Sequence, residues 1–137
     1  MIDEIKKVKK LIPSDISNIV LVEILLDKIG NELDLKEEFR ANLFVSIIEA
    51  VKNAIIYGNG NDINKNVTLD IEYSTQQLIA IVSDCGSGFD YNNLPDPTSP
   101  DNLEKITGRG LFLIKSLADK VEFLNNGSTL RLIFYFN

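Results

Sequence analysis

The chain has 137 residues, is 45% hydrophobic and 25% charged, and carries a formal net charge of −6. Its size and balance suit one soluble globular domain that buries about two-thirds of the surface its unfolded chain exposes. The acidic balance speaks against a nucleic-acid surface, the single cysteine (Cys85) excludes an internal disulfide, and the lack of histidine removes imidazole metal ligands, Ser-His and Cys-His nucleophilic pairs and a phosphoacceptor histidine.

The start, MIDEIKKVKK, has no apolar segment followed by a cleavage site. The longest apolar run, IVLVEILL, is too short for a membrane span and contains Glu23. A cytoplasmic protein without membrane contact is expected. IKKVKKLI reads as an edge strand, and Pro13, Ser14 and Asp15 as a helix entry. DISNIVLVEILLDKIGNEL is an amphipathic helix with Gly30 and Asn31 at its end. A second helix is expected over 36–57, stopped by GNGND. The period then changes to two: NVTLDIEYS and QQLIAIVSD alternate as strands, joined by a turn at STQQ. The glycine-, proline- and asparagine-rich segment 85–108 exceeds a usual connection, so it is either a functional lid or disordered. A helix over 109–118 follows, then the strands KVEFLNN and TLRLIFYF with a turn at NNGS. This order predicts an α+β, two-layer α/β sandwich, with helices on one face of a mixed, mostly antiparallel sheet, in a single domain over 1–137.

At about 100° per residue, Leu43, Phe44, Ile47, Ile48, Val51, Ala54 and Ile55 share one side of the second helix. Asn42, Ser46, Glu49, Asn53 and Tyr57 form a narrow stripe opposite, flanked by Val45 and Ile56. A solvated face more usually mixes Lys, Glu and Arg. Glu49 and Asn53 project together at i and i+4. A carboxylate can take a proton, and a carboxamide oxygen can be one hard ligand for Mg²⁺. Taken alone, the stripe is equally an ordinary wet face.

SDCGSGFD puts Asp84 at a strand end before Gly86 and Gly88. The plain interpretation is a tight turn. The functional one is a backbone that approaches a flat ligand closely, with Asp84 accepting from its amino group. TGRGLFLIKSLADK puts Gly108 and Gly110 before an apolar helix, whose free N–H groups attract phosphate. Arg109 either holds a phosphate or points to solvent. Phe89 reads as a packing residue at the lid base, and Cys85 as a small buried thiol. Neither GxxxxGK[ST] nor GxGxxG occurs.

In that order, EAVKNAIIYG, DCGSGF and GRGLFLI resemble the N box and the first and second glycine boxes of the GHKL (histidine kinase-like) ATPase superfamily. Among its members the short chain most resembles the anti-sigma factor serine/threonine protein kinases, over residues 39–136. The resemblance implies the Bergerat ATP-binding fold, with ATP and Mg²⁺ as cofactors. It implies that Asn53 coordinates Mg²⁺ across the ATP phosphates and that Glu49 is the general base. Asp84 would accept from the adenine amino group, with Gly86 and Gly88 giving the base room and Phe89 in the same box. Gly108, Arg109, Gly110 and Leu111 would close over the phosphates. NGSTLRL resembles the late strand whose hydroxyl helps bind adenine through water, a place for Ser128 or Thr129. Tyr57 departs from the pattern, standing where close relatives often have histidine.

The activity so implied is ATP-dependent phosphorylation of a small protein antagonist on serine or threonine, with sequestration of a partner such as a sigma factor, and homodimer formation. The alternative is an ATP/ADP-gated protein-interaction module without kinase activity. A third possibility is an interaction domain whose boxes are relics.

Overall fold

The computed structural model describes residues 4–88 and 110–136. Its strands are β1 (Lys6–Pro13), β2 (Asn66–Tyr73), β3 (Gln77–Ser83), β4 (Lys120–Leu124) and β5 (Thr129–Tyr135). They form one sheet in the order β1-β2-β3-β5-β4. All four neighbouring pairs are antiparallel, which corrects the expectation of a mixed sheet. The helices α1 (Ile19–Glu32), α2 (Glu37–Asn53) and α3 (Leu111–Leu117) pack on one face, giving the two-layer α+β sandwich.

The alternation read from the sequence selects that face. Val67, Leu69, Ile71 and Tyr73 of β2, Leu78, Ala80 and Val82 of β3, and Leu130, Leu132 and Phe134 of β5 are buried at every second position. They meet Val22, Leu26 and Ile29 of α1 and Ile47, Val51 and Ile55 of α2 in one apolar core. Burial of this kind contributes about 25 cal/mol per Å² of apolar surface removed from water.

Two helix expectations change. Gly30 lies inside α1 rather than ending it. A Cβ there would come within 3.4 Å of Arg40, whose Nη1 donates to Asn31 Oδ1 at 2.8 Å and whose Nε donates to the Leu35 carbonyl at 2.8 Å. A Cβ at that distance would meet Arg40 in ordinary van der Waals contact, so Gly30 needs no special space there, and Asp34, at φ 50°, turns the chain. On α2, Glu37 and Glu38 in the first turn and Lys52 in the last complement the helix dipole. The stripe opposite its apolar side is not a wet face. Ser46 is fully buried, Asn42, Glu49 and Asn53 are half-buried, and of the five only Tyr57 is exposed. Phe44, counted on the apolar side, is 40% exposed.

β1 is the edge strand the sequence predicted, with Lys6, Lys7, Lys9 and Lys10 along it, a composition that discourages strand addition. Lys6 pairs with Glu32 at the end of α1, and Glu32 Oε2 accepts from the Tyr73 hydroxyl at 2.6 Å. Burial, then the bond to Glu32, pushes the Tyr73 phenol up to about 12. An unfolded tyrosine ionises near pH 10, so between about pH 10 and 12 the unfolded chain releases a proton that the folded chain keeps. This contribution to stability is complete below about pH 10 and is lost as pH rises through about 12. Tyr73→Phe is expected to flatten the alkaline fall of stability across that window, measured by urea unfolding at a series of pH values.

Candidate functional site

Regular α winding ends at Asn53. The next five residues, Ala54–Gly58, form a π-turn, and the Asn59 N–H bonds to the Ala54 carbonyl five residues back at 2.8 Å. Such single turns recur at functional sites. Gly60 and Asn61, at φ 61° and 58°, then reverse the chain. Across from this turn β3 ends at Ser83. The Asp84 N–H extends the ladder by one bond, donating to the Ser128 carbonyl at 3.0 Å. Asp84 Oδ1 accepts from the Gly86 N–H at 2.7 Å, an Asx-turn.

The two segments touch backbone to side chain. A Cβ at Gly58 would lie 2.2 Å from Asp84 Cγ, and one at Gly86 would lie 2.6 Å from the Gly58 carbonyl oxygen. At Gly88, where φ is 89°, a Cβ would fall 1.8 Å from the Asn126 carbonyl oxygen. The end of α2, the end of β3 and the β4–β5 turn can meet this closely only where side chains are missing.

Between them lies a cavity of about 240 Å³. Ala50, Ala54, Val82, Phe123 and Leu130 supply apolar lining, and Asn53, Tyr57, Asp84 and Ser128 supply polar groups, with Gly86, Gly88 and Leu111 at the wall. A slot lined by polar and apolar groups in nearly equal measure suits a flat ligand with polar substituents. Asn53, Asp84, Gly86, Gly88 and Leu111, separated in sequence, therefore share one cavity.

Glu49 is not in its lining. The carboxylate is 27% exposed, lies 3.5 Å from Lys52 Nζ, and has Oε2 2.5 Å from where a Cβ on Gly110 would be. It reaches from α2 to the start of α3. Thr129 also stays outside the lining. Strand alternation puts Leu130 on the cavity side and Thr129 on the other, where its hydroxyl bonds to Ser83 Oγ at 3.3 Å and accepts from Asn125 Nδ2 at 3.1 Å. Of the two hydroxyl candidates, Ser128 lines the cavity. Cys85 is exposed rather than buried, because its side chain leaves the strand end outward while its N–H turns in. Phe89, Gly108 and Arg109 lie outside the described residues.

Sequence reasoning gives Gly58 no role beyond closing the first box and stopping the helix, and it misses Asn59, which presents itself only as a helix-stopping residue. Asn59 is 3% exposed, and its Oδ1 accepts from the Cys85 N–H at 2.7 Å. Among the described residues no group of three or more His, Cys, Asp or Glu could hold a metal ion, and no helix is long and apolar enough to cross a membrane.

A family model described as a histidine kinase-like ATPase domain matches residues 12–134. The chain is 22% identical over 142 aligned positions to the serine-protein kinase RsbW of Bacillus cereus (strain ATCC 10987 / NRS 248), covering 98% of this chain and 88% of that protein. Serine-protein kinases RsbW of Bacillus anthracis and of Bacillus thuringiensis (strain Al Hakam) match with 22% identity and the same coverage. Among solved structures, the RsbU and RsbW domains of Rv1364c from Mycobacterium tuberculosis share the fold with a TM-score of 0.65 at 14% identity, over 95% of this chain and 32% of that one. The chain thus spans about a third of that solved chain.

The close approach is testable without any ligand. Gly58→Ala must displace the Asp84 carboxylate, and Gly88→Ala must push against the Asn126 carbonyl. Each is expected to cost about 1–3 kcal/mol of stability by overpacking, measured by urea unfolding.

Proposed function

The chain belongs to the histidine kinase-like ATPase family, and we propose that it binds ATP in the cavity between α2 and the sheet and phosphorylates a protein on serine or threonine. The observation that carries this is the sharing of one cavity by Asn53, Asp84, Gly86 and Gly88, with Glu49 a single turn from Asn53. The names of the serine-protein kinase relatives support the reaction type. The substrate would be a small protein antagonist, and a second partner, a sigma factor, would be held when the antagonist is not engaged. In this reading residues 1–137 would form one domain that acts in the cytoplasm and pairs with a second copy of itself.

In this reading Asp84 accepts from the adenine amino group, and Gly86 and Gly88 let the base lie against backbone. Thr129 or Ser128 would supply the hydroxyl that helps hold the base through water; Ser128 is the one of the two that lines the cavity. Gly110 and Leu111 begin the helix whose N–H groups would face phosphate, together with Gly108 and Arg109, and Phe89 belongs to the adenine end. Magnesium fits the residues present. Asn53 offers one hard oxygen, and an ion that keeps several waters and otherwise takes phosphate oxygens needs no cage of carboxylates. When bound, the ion supplies charge neutralisation across the phosphates.

Glu49 takes the proton of the attacking hydroxyl. The hydroxyl oxygen forms its bond to the γ-phosphorus as the bond from that phosphorus to the ADP oxygen breaks, and ADP leaves with the electron pair. The rest of the catalysis is positioning.

A second reading, an ATP/ADP-gated module without transfer, is favoured by one observation: Glu49 faces Lys52 and the start of α3 rather than the cavity. Incubation of the pure protein with γ-labelled ATP and a candidate antagonist separates the two. Glu49→Gln is expected to lower transfer by about 10²-fold or more while calorimetric ATP affinity stays within about threefold. Intact ATP binding with no transfer by the wild type removes the kinase and leaves the module.

A further inference from the structure

Asn59 belongs to none of the three boxes and does not line the cavity, yet it is 3% exposed and uses both ends of its amide. We propose that Asn59 is a positioning residue for base recognition, holding Asp84 where it can read the exocyclic amino group of a purine. The inference rests on the cavity being the ATP site.

The geometry converges from three directions. Asn59 Nδ2 donates to Ser14 Oγ at 2.9 Å. Ser14 is itself fully buried and donates onward to the Lys65 carbonyl at 2.6 Å. Asn59 Oδ1 accepts from the Cys85 N–H at 2.7 Å. The junction after β1, the exit of the π-turn and the exit of β3 therefore meet at one carboxamide.

The Cys85 N–H belongs to the peptide on the C-terminal side of Asp84. The peptide on its N-terminal side is held by the Asp84 N–H bond to the Ser128 carbonyl at 3.0 Å. Both peptide planes flanking Asp84 are thus pinned, one by Ser128 just before β5 and one by Asn59. The side chain is confined as well, by Gly58 on one side and by the bond from the Gly86 N–H on the other. A hydrocarbon side chain at 59 would leave the Cys85 N–H and the Ser14 hydroxyl without this partner. A buried donor left unpaired moves to find water, and the Asp84 peptide moves with it.

Loss of a purely structural bond weakens every nucleotide alike. Loss of a positioning bond weakens only the nucleotide whose amino group Asp84 reads. The test is calorimetry with Mg-ATP and with the magnesium complex of purine-riboside triphosphate, which lacks that amino group, on wild type, Asn59→Ala and Ser14→Ala. The wild type should prefer ATP by about 10- to 100-fold, the worth of one hydrogen bond to a carboxylate. In Asn59→Ala the ATP affinity should fall by about tenfold and the analogue's by less than about threefold, so that the preference collapses. Ser14→Ala leaves the bond between Oδ1 and Cys85 in place and should keep most of the preference. If Asn59→Ala does not fold, the similarly sized Asn59→Leu is read by the same ratio. An equal fall for both nucleotides, or an unchanged preference, overturns the positioning role and leaves the ATP site standing. A wild type that binds neither nucleotide overturns the ATP site itself, and this inference with it.

Discussion

The site depends on a distance too short for a side chain: the place a Cβ would take on Gly58 is occupied by the Asp84 carboxylate. That contact sets the spacing between α2 and the end of β3, and so the width of the cavity. The π-turn makes it reachable. One extra residue in the winding rotates the next residues by about 100° relative to an unbroken helix. Gly58 and Asn59 are carried toward the sheet, while Asn53, on the last regular turn, stays on the cavity wall. The same five residues thus end a helix and supply part of the slot's wall.

Polar groups buried around this point are not equivalent. Asn59 and Ser14 satisfy each other and two backbone groups, so their burial sets a unique arrangement at little net cost. Ser46, on the same helix as Glu49 and Asn53, is fully buried, and among the described residues its hydroxyl has no hydrogen-bond partner. An unmade bond of that sort costs about 1–3 kcal/mol, which the apolar contact around it must offset. The helix therefore stores a penalty in its middle and recovers order at its end, where the site is.

Much of this is legible in the sequence, and the failures have physical causes. Period-two alternation locates the strands because one face of the sheet is covered and the other is not. The glycine pairs are visible because nothing else tolerates such approach. The end of α1 is misjudged because Gly30 reads as a helix stop, whereas the left-handed residue that turns the chain is Asp34, at φ 50°, which local propensity does not single out. Ser128 and Thr129 cannot be separated because one residue of register exchanges the faces of a strand. Here the register is set by Asn125 and Asn126, both with positive φ, which sequence propensity does not specify. The π-turn is invisible because the apolar spacing of 36–57 fits ordinary helical winding. Asn59 is hidden for a related reason: inside GNGND an asparagine reads as a turn former, and only the fold turns its amide inward.

The two carboxylates that the sequence singles out sit in opposite mechanical settings. Asp84 is held at both flanking peptides and along its side chain, at the end of a central strand of the sheet. Glu49 is partly exposed, pairs with Lys52 at i+3 and rests against Gly110 at the start of α3. A solvent-accessible pair of that type is worth at most about 1 kcal/mol, so Glu49 can change partners cheaply where Asp84 cannot. The fold separates a fixed acceptor, suited to recognition, from an adjustable one, suited to handling a proton that arrives and leaves. Recognition needs an arrangement that persists whether or not a ligand is bound, and proton transfer needs one that answers to the ligand. On the proposed reading of the cavity as an ATP site, placing the first just after β3 and the second between α2 and α3 would let one small sandwich meet both demands.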